Sequence, residues 1–231
     1  IKNNYISNFT VRAIVVWTYY KNFTIEDNII VDSTQGIWIF NDGAGDVRNG
    51  LIKNNTMHTQ NQGIISNSDY TALIDNLTII DNTIITIEGN AAGNGLNLLD
   101  LTDSYVANNT ITTNSTAGSS AAGMFIYFNP NLQVVNNTLY SSIGIEVGGV
   151  SDRTTPYIFS QNKLYVTDYG IFSNNTYAEI YDNLIEGTCN HEQCDILYLA
   201  KVSKSGIFSQ EGNIKIENNT ITNFKESFGL F

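Results

Sequence analysis

Basic residues are scarce in this chain. Eleven Lys and Arg stand against 22 Asp and Glu in 231 residues, for a net charge of −11. A nucleic-acid binder needs a basic face to neutralise phosphates, so that partner class is argued against. No apolar run approaches the ~20 residues of a membrane helix, so no membrane span is expected in this segment. No stretch sustains a 3.6-residue period, so no helix longer than a turn is expected. Proline, cysteine and histidine occur twice each and arginine three times, at Arg12, Arg48 and Arg153. The chain opens at Ile1 without a Met and ends inside a strand-like stretch, and is read as a segment of something longer.

What is abundant is asparagine, 32 residues of 231. Hydrophobic residues make up 42% and aromatics 11%, enough for a core and against disorder. Nine asparagines have an apolar residue three before and another two after: Asn4, Asn28, Asn55, Asn82, Asn109, Asn137, Asn162, Asn183 and Asn219. They are spaced 24, 27, 27, 27, 28, 25, 21 and 36 residues apart, so the chain is a repeat. After each, a small residue introduces alternating apolar positions, as in AIVVW at Ala13, GIWIF at Gly36, GLNLL at Gly95 and GMFIYF at Gly123. Period-2 stretches rich in Ile, Val, Thr and aromatics, broken by Gly, Asn, Asp and Ser, read as short strands with turns.

A unit of about 27 residues cannot bury a face alone, but stacked units pair like strands in parallel around one continuous core. The repeated Asn fits a turn in such a stack. It tolerates a left-handed conformation, and its amide can bond the same residue of the next coil to form a ladder. The pattern resembles the right-handed parallel β-helix of the pectate-lyase-like superfamily and covers essentially the whole chain. The expected fold is all-β: one parallel β-helix domain over residues 1–231, about nine coils with an Asn ladder, and a Cys-containing insertion at about 188–204.

That superfamily spans lyases, hydrolases, epimerases, tailspikes, adhesins and structural surface proteins, so function must come from sites. The resemblance implies, for a lyase, a Ca²⁺ site of several carboxylates beside an Arg or Lys base, and the three arginines do not supply one. The polygalacturonase motifs are missing as well, and neither His58 nor His191 sits in such a context. No catalytic residue is assigned, and an enzyme is not the leading expectation. No cofactor is expected. The loop NDGAGD could fold oxygen ligands from Asp42 and Asp46 round a Ca²⁺ ion, although a Gly-rich turn is the preferred reading, and Asp100 and Asp103 invite the same two readings with less support for an ion. Cys189 and Cys194 are expected to form a disulfide that pins the insertion, which would imply an oxidising, extracellular compartment.

In the strand after each small residue, Ile37, Ile39, Leu96, Leu98, Met124, Ile126, Ile145 and Val147 should face inward. Trp17, Trp38, Phe40, Phe125, Tyr127, Phe172 and Phe208 should then face outward in a row. Sugar stacking, subunit packing or cover by a loop or neighbouring domain would each explain them. Nine N-x-S/T sequons offer N-glycosylation sites, at Asn8, Asn22, Asn54, Asn76, Asn108, Asn114, Asn136, Asn174 and Asn218. Four of these immediately precede a ladder Asn and should point outward at the turn. The leading expectation is a non-enzymatic extracellular structural protein, of the cell surface or filament-forming, whose partners are other copies or flanking coils. The alternative is a polysaccharide-active enzyme, or a glycan-binding adhesin or tailspike.

Overall fold

The computed structural model describes residues 1–69, 73–87, 93–114, 121–149, 155–188 and 205–224, and the backbone of 226–230. The expected Cys189–Cys194 disulfide and residues 189–204 of the insertion that carries it lie outside the described residues. Among the described residues there is no helix, and so none long and apolar enough to cross a membrane. Every strand pairing is parallel, which follows from stacking like upon like in a repeat.

The strands fall on three faces. The first holds β1 (Tyr5–Ser7), the start of β4 (Ile29–Asn41), the start of β6 (Thr56–Ser68), β8 (Thr83–Ile87), β12 (Thr110–Asn114), the starts of β15 (Thr138–Gly148) and β17 (Lys163–Tyr181), β18 (Leu184–Gly187) and β20 (Thr220–Thr222). The second holds β2 (Arg12–Trp17), the ends of β4 and β6, β9 (Leu96–Leu99), β13 (Ala122–Tyr127), the end of β15, the middle of β17, the start of β19 (Ser205–Glu217) and β21 (Glu226–Leu230). The third holds β3 (Thr24–Glu26), β5 (Val47–Lys53), β7 (Ile74–Ile80), β10 (Leu101–Thr102), β11 (Tyr105–Ala107), β14 (Gln133–Val135), β16 (Tyr157–Ser160) and the ends of β17 and β19. Inside, aliphatic side chains stack in register. Ile37, Ile64, Leu96, Met124, Ile145, Ile171 and Ile207 line the second face, and each is fully buried.

Between the third and first faces the chain turns through one asparagine per coil, and these asparagines form a hydrogen-bonded column. At Asn82, the backbone N–H and the side-chain Nδ2 both donate to Oδ1 of Asn109, each at 3.0 Å. The same Nδ2 lies 2.9 Å from the Ile80 carbonyl and 3.0 Å from that of Ile52. The interior amide thereby satisfies backbone groups that a buried turn would otherwise orphan. The left-handed conformation belongs to the preceding residue instead: Asn3, Asp27, Asn54, Asp81, Asn108, Asn136, Gln161, Asp182 and Asn218 all have φ between 52° and 59°. The expectation that the ladder Asn itself takes that conformation is corrected on this point. Its side chain must reach inward, and only a left-handed residue before it turns the chain tightly enough.

That preceding residue faces outward, and its side chains make a second, exterior column. Asn54 Nδ2 donates to Asp27 at 2.6 Å, and Asn136 Nδ2 to Asn108 at 2.8 Å. No two carboxylates are neighbours in the column, as expected where like charges would stack one strand spacing, about 4.8 Å, apart.

The corner between the first and second faces is built on glycine. Gly36, Gly63, Gly95, Gly123, Gly144 and Gly170 each lie so close to the next coil that an added Cβ would meet the carbonyl oxygen of the following glycine at 2.3–2.9 Å. This is why the small residue that opens the alternating stretch is glycine from Gly36 onward, with Ala13 in its place in the first coil.

Candidate functional site

The outward positions of the second face are set by strand alternation from the buried aliphatics. In register, one outward row runs Val15, Trp38, Ile65, Asn97, Phe125, Glu146, Phe172, Phe208. The adjacent row runs Trp17, Phe40, Asn67 and then, beyond Ser66, Leu99, Tyr127, Gly148, Asn174, Gln210. The predicted aromatics are thus on one face but not in one row. Ile65, Asn97 and Glu146 divide them into three groups.

The first group is the most ordered by polar contacts. Trp38 and Phe40 stack at 4.9 Å with an interplanar angle of 20°, and Trp17 meets both edge-on, at 5.5 and 4.9 Å. Trp38 is buried at 9% exposure, against the expectation of an exposed ring, because the Arg12 guanidinium lies 3.6 Å over its face. Trp17 is 48% exposed and supplies the open aromatic surface. A chain of planar polar groups extends from Trp38: the Arg12 that covers it donates from Nε to Gln35 Oε1, and Gln35 Nε2 donates to Gln62 Oε1, both at 2.9 Å.

Asp42, considered above as a metal ligand, is held by three hydrogen bonds. Its carboxylate accepts from Thr18 Oγ1, from Trp17 Nε1 at 2.9 Å and from the Ala44 N–H at 3.1 Å. Those bonds, Thr18 foremost, hold its carboxyl below the usual range and fix the Trp17 ring. Asp46 is paired with Lys21 at 2.8 Å, which lowers its pKa, so the two carboxylates of this loop serve separate partners. Asp100 accepts from the Ser68 N–H and Asp103 from Asn131 Nδ2. Among the described residues no three His, Cys, Asp or Glu are grouped as metal ligands would be.

In the second group Phe125 and Tyr127 are near-parallel with centroids 6.3 Å apart, and Phe128 meets Tyr127 edge-on at 4.3 Å. In the third, Phe172 and Phe208 stack at 5.3 Å and 7°, with Tyr169 against both. Glu146 lies between these two groups, a residue that sequence reasoning passed over because GIEV reads as one more outward polar position. Burial raises its pKa above the ordinary 4.5. Protonation therefore favours the folded state. The cost of the ionised form is present above the raised value, fades as pH falls through it, and is gone below 4.5. On the packed strands the titratable side chains nearest Glu146 in register are Tyr127 on β13 and Tyr169 on β17. The expected result is a higher melting temperature for Glu146→Gln at neutral pH, with the gain vanishing in acid. A gain that does not change with pH would disprove this account.

Elsewhere, an open groove of about 610 Å³ on the first face is lined by Tyr5, Val31, Asp32, His58, Thr59, Gln60 and Ile87. It sits where β4 breaks register against β6 around Ser33. All nine sequon asparagines are exposed. The amides of Asn54 and Asn136 donate within the exterior column, and that of Asn76 donates to Asn49 Oδ1.

A family model described as "right handed beta helix region" matches residues 1–164. No curated protein and no solved structure matches the chain. The matched residues include six of the ladder asparagines from Asn4 to Asn137 together with Asn162, and with the all-parallel strand pairing they establish that the chain belongs to the right-handed β-helix family.

Proposed function

We propose that this chain is an extracellular structural β-helix, of the cell-surface or filament-forming kind, whose second face contacts glycans. In this reading about nine coils stack on the Asn ladder, and the exposed sequons at the exterior turns carry N-glycans. The observation that carries the glycan contact is the Trp17–Trp38–Phe40 cluster. An exposed indole held by Asp42 packs on Trp38, which carries Arg12 and through it two glutamines; together they offer an apolar platform and planar hydrogen-bonding groups, and a sugar ring presents one apolar face and a rim of hydroxyls. A solvated sheet face has no need of such rings.

Affinity electrophoresis through gels containing neutral and acidic polysaccharides tests this reading. At least one polymer should retard the protein, and Trp17→Ala should weaken retardation by about thirtyfold in Kd, the scale of a central Trp at an interface. Retardation by none of the polymers, or unchanged retardation of Trp17→Ala, would disprove the glycan contact. Electron microscopy of the purified protein tests the structural half. Continuous fibres with a regular axial repeat support it, and isolated rods count against filament formation.

A further inference from the structure

Among the described residues Glu146 is a charge without a counterpart. Its register neighbours are Phe125 on one coil and Phe172 on the next, so an aromatic ring lies on each side of it along the stack. The next outward position on its own strand is Gly148, and the Tyr127 ring packs there. A Cβ at Gly148 would sit 3.2 Å from that ring, and one at Gly149 only 2.7 Å. The carboxylate is half-buried, and none of the hydrogen bonds or ion pairs among the described residues reaches it.

A desolvated carboxylate with no donor is costly, and proteins ordinarily pair such a group or replace it. The same row shows what the scaffold accepts there: Val15, Trp38, Ile65, Asn97, Phe125, Phe172 and Phe208, with no other charge. Glu146 therefore does nothing for the stack that Leu or Phe would not do better. Its missing partner has to be a cation small enough to lie between ring faces. A hard metal ion is a poor fit, since it needs six or more oxygen ligands and one carboxylate stands here among aromatics. An ammonium group fits, because carboxylate and ring faces attract it together.

We infer that Glu146, Phe125, Phe172 and Tyr127 form a binding site for the protonated amine of an amino sugar within a basic glycan. The inference deepens the glycan reading above and places its charged contact on the middle of the second face, several coils from Trp17. The net charge of −11 works in the same direction, drawing a polycationic chain and repelling a polyuronate.

Calorimetric titration with three probes tests the site: the β-1,4 glucosamine trimer, its fully N-acetylated counterpart, and lysine amide. The glucosamine trimer should bind, and the N-acetylated trimer, with the same rings and no charge, should bind at least about tenfold more weakly. Glu146→Gln should lose the glucosamine trimer by a similar factor while melting no lower than the parent, which separates lost binding from lost folding. Phe172→Leu should weaken it to a lesser degree. Trp17→Ala should leave it unchanged, so failure of the Trp17 platform and failure of this site give different patterns. Equal affinity for the two trimers, or full binding by Glu146→Gln, overturns the proposal. Lysine amide binding as tightly as the glucosamine trimer overturns the assignment to a sugar.

Discussion

Replacing Asn109 by Ala should lower stability by ~3–5 kcal/mol, whereas replacing its neighbour Asn108 by Gly should change it by less than ~0.5 kcal/mol. The two residues are adjacent in sequence and opposite in role. Asn109 is 1% exposed, and its Oδ1 accepts both the backbone N–H and the Nδ2 of Asn82 at 3.0 Å. Its Nδ2 in turn reaches the carbonyls of Ile79 and Ala107 and Oδ1 of Asn137, at 2.9, 3.0 and 2.9 Å. Truncation leaves a buried N–H, an amide and two carbonyls short of partners, and each orphan costs ~1–3 kcal/mol. Asn108 is exposed, accepts one bond from Asn136 Nδ2, and has φ of 57°. Glycine adopts that conformation without strain, so the lost surface bond is nearly offset. Chemical unfolding of the two variants beside the parent measures both. Similar losses for the pair would show that the interior column is not what holds the turn.

The same contrast explains how much of the molecule could be read from its sequence. The nine asparagines, the glycines after them and the alternation of Ile, Leu and Met were legible because a stacked repeat puts the same demand on the same position in every coil. The left-handed residue was misplaced by one, onto the ladder Asn. Asn-Asn, Asp-Asn and Gln-Asn pairs look alike in a sequence, and only the backbone shows which member turns and which reaches inward. The site was less legible still. Alternation placed Trp17, Trp38, Phe40, Phe125, Tyr127, Phe172 and Phe208 on one face, but not which of them share a row. Row membership depends on register between coils 21 to 36 residues apart, and each coil's loops alter that register. The loop NDGAGD drew notice for its two carboxylates, amide and glycines, but nothing local pointed to Trp17 and Thr18, the partners of Asp42 that lie 25 and 24 residues away. Glu146 carried no local signal at all: its significance lies in what the neighbouring coils put beside it.

The second large effect concerns glycine, and it turns on what a methyl group would strike. Gly170→Ala should destabilise by about 3 kcal/mol or more, while Gly45→Ala should be neutral or stabilise by ~0.4–1 kcal/mol. Both would place a Cβ at a forbidding distance. At Gly45 the obstacle is the Tyr19 ring at 2.3 Å, and Tyr19 is 68% exposed, so it swings into solvent at little cost. The substitution then only narrows the unfolded ensemble. At Gly170 the obstacles are Ile185 Cγ2 at 2.2 Å, a fully buried side chain, and the Gly206 carbonyl oxygen at 2.3 Å. That carbonyl lies on β19, whose Ile207, Phe208 and Ser209 pair in register with Ile171, Phe172 and Ser173. Relief requires the two coils to part, which stretches the hydrogen bonds of the second face and opens a gap beneath Ile171 and Ile207. Because each coil contacts only its neighbours, the damage should stay local at first. Hydrogen exchange should quicken in β17 and β19 before it does so in β4 and β6. Uniform loss of protection along the whole solenoid would instead show that the coils unfold as one unit, and an unchanged unfolding midpoint for Gly170→Ala would contradict the close approach itself.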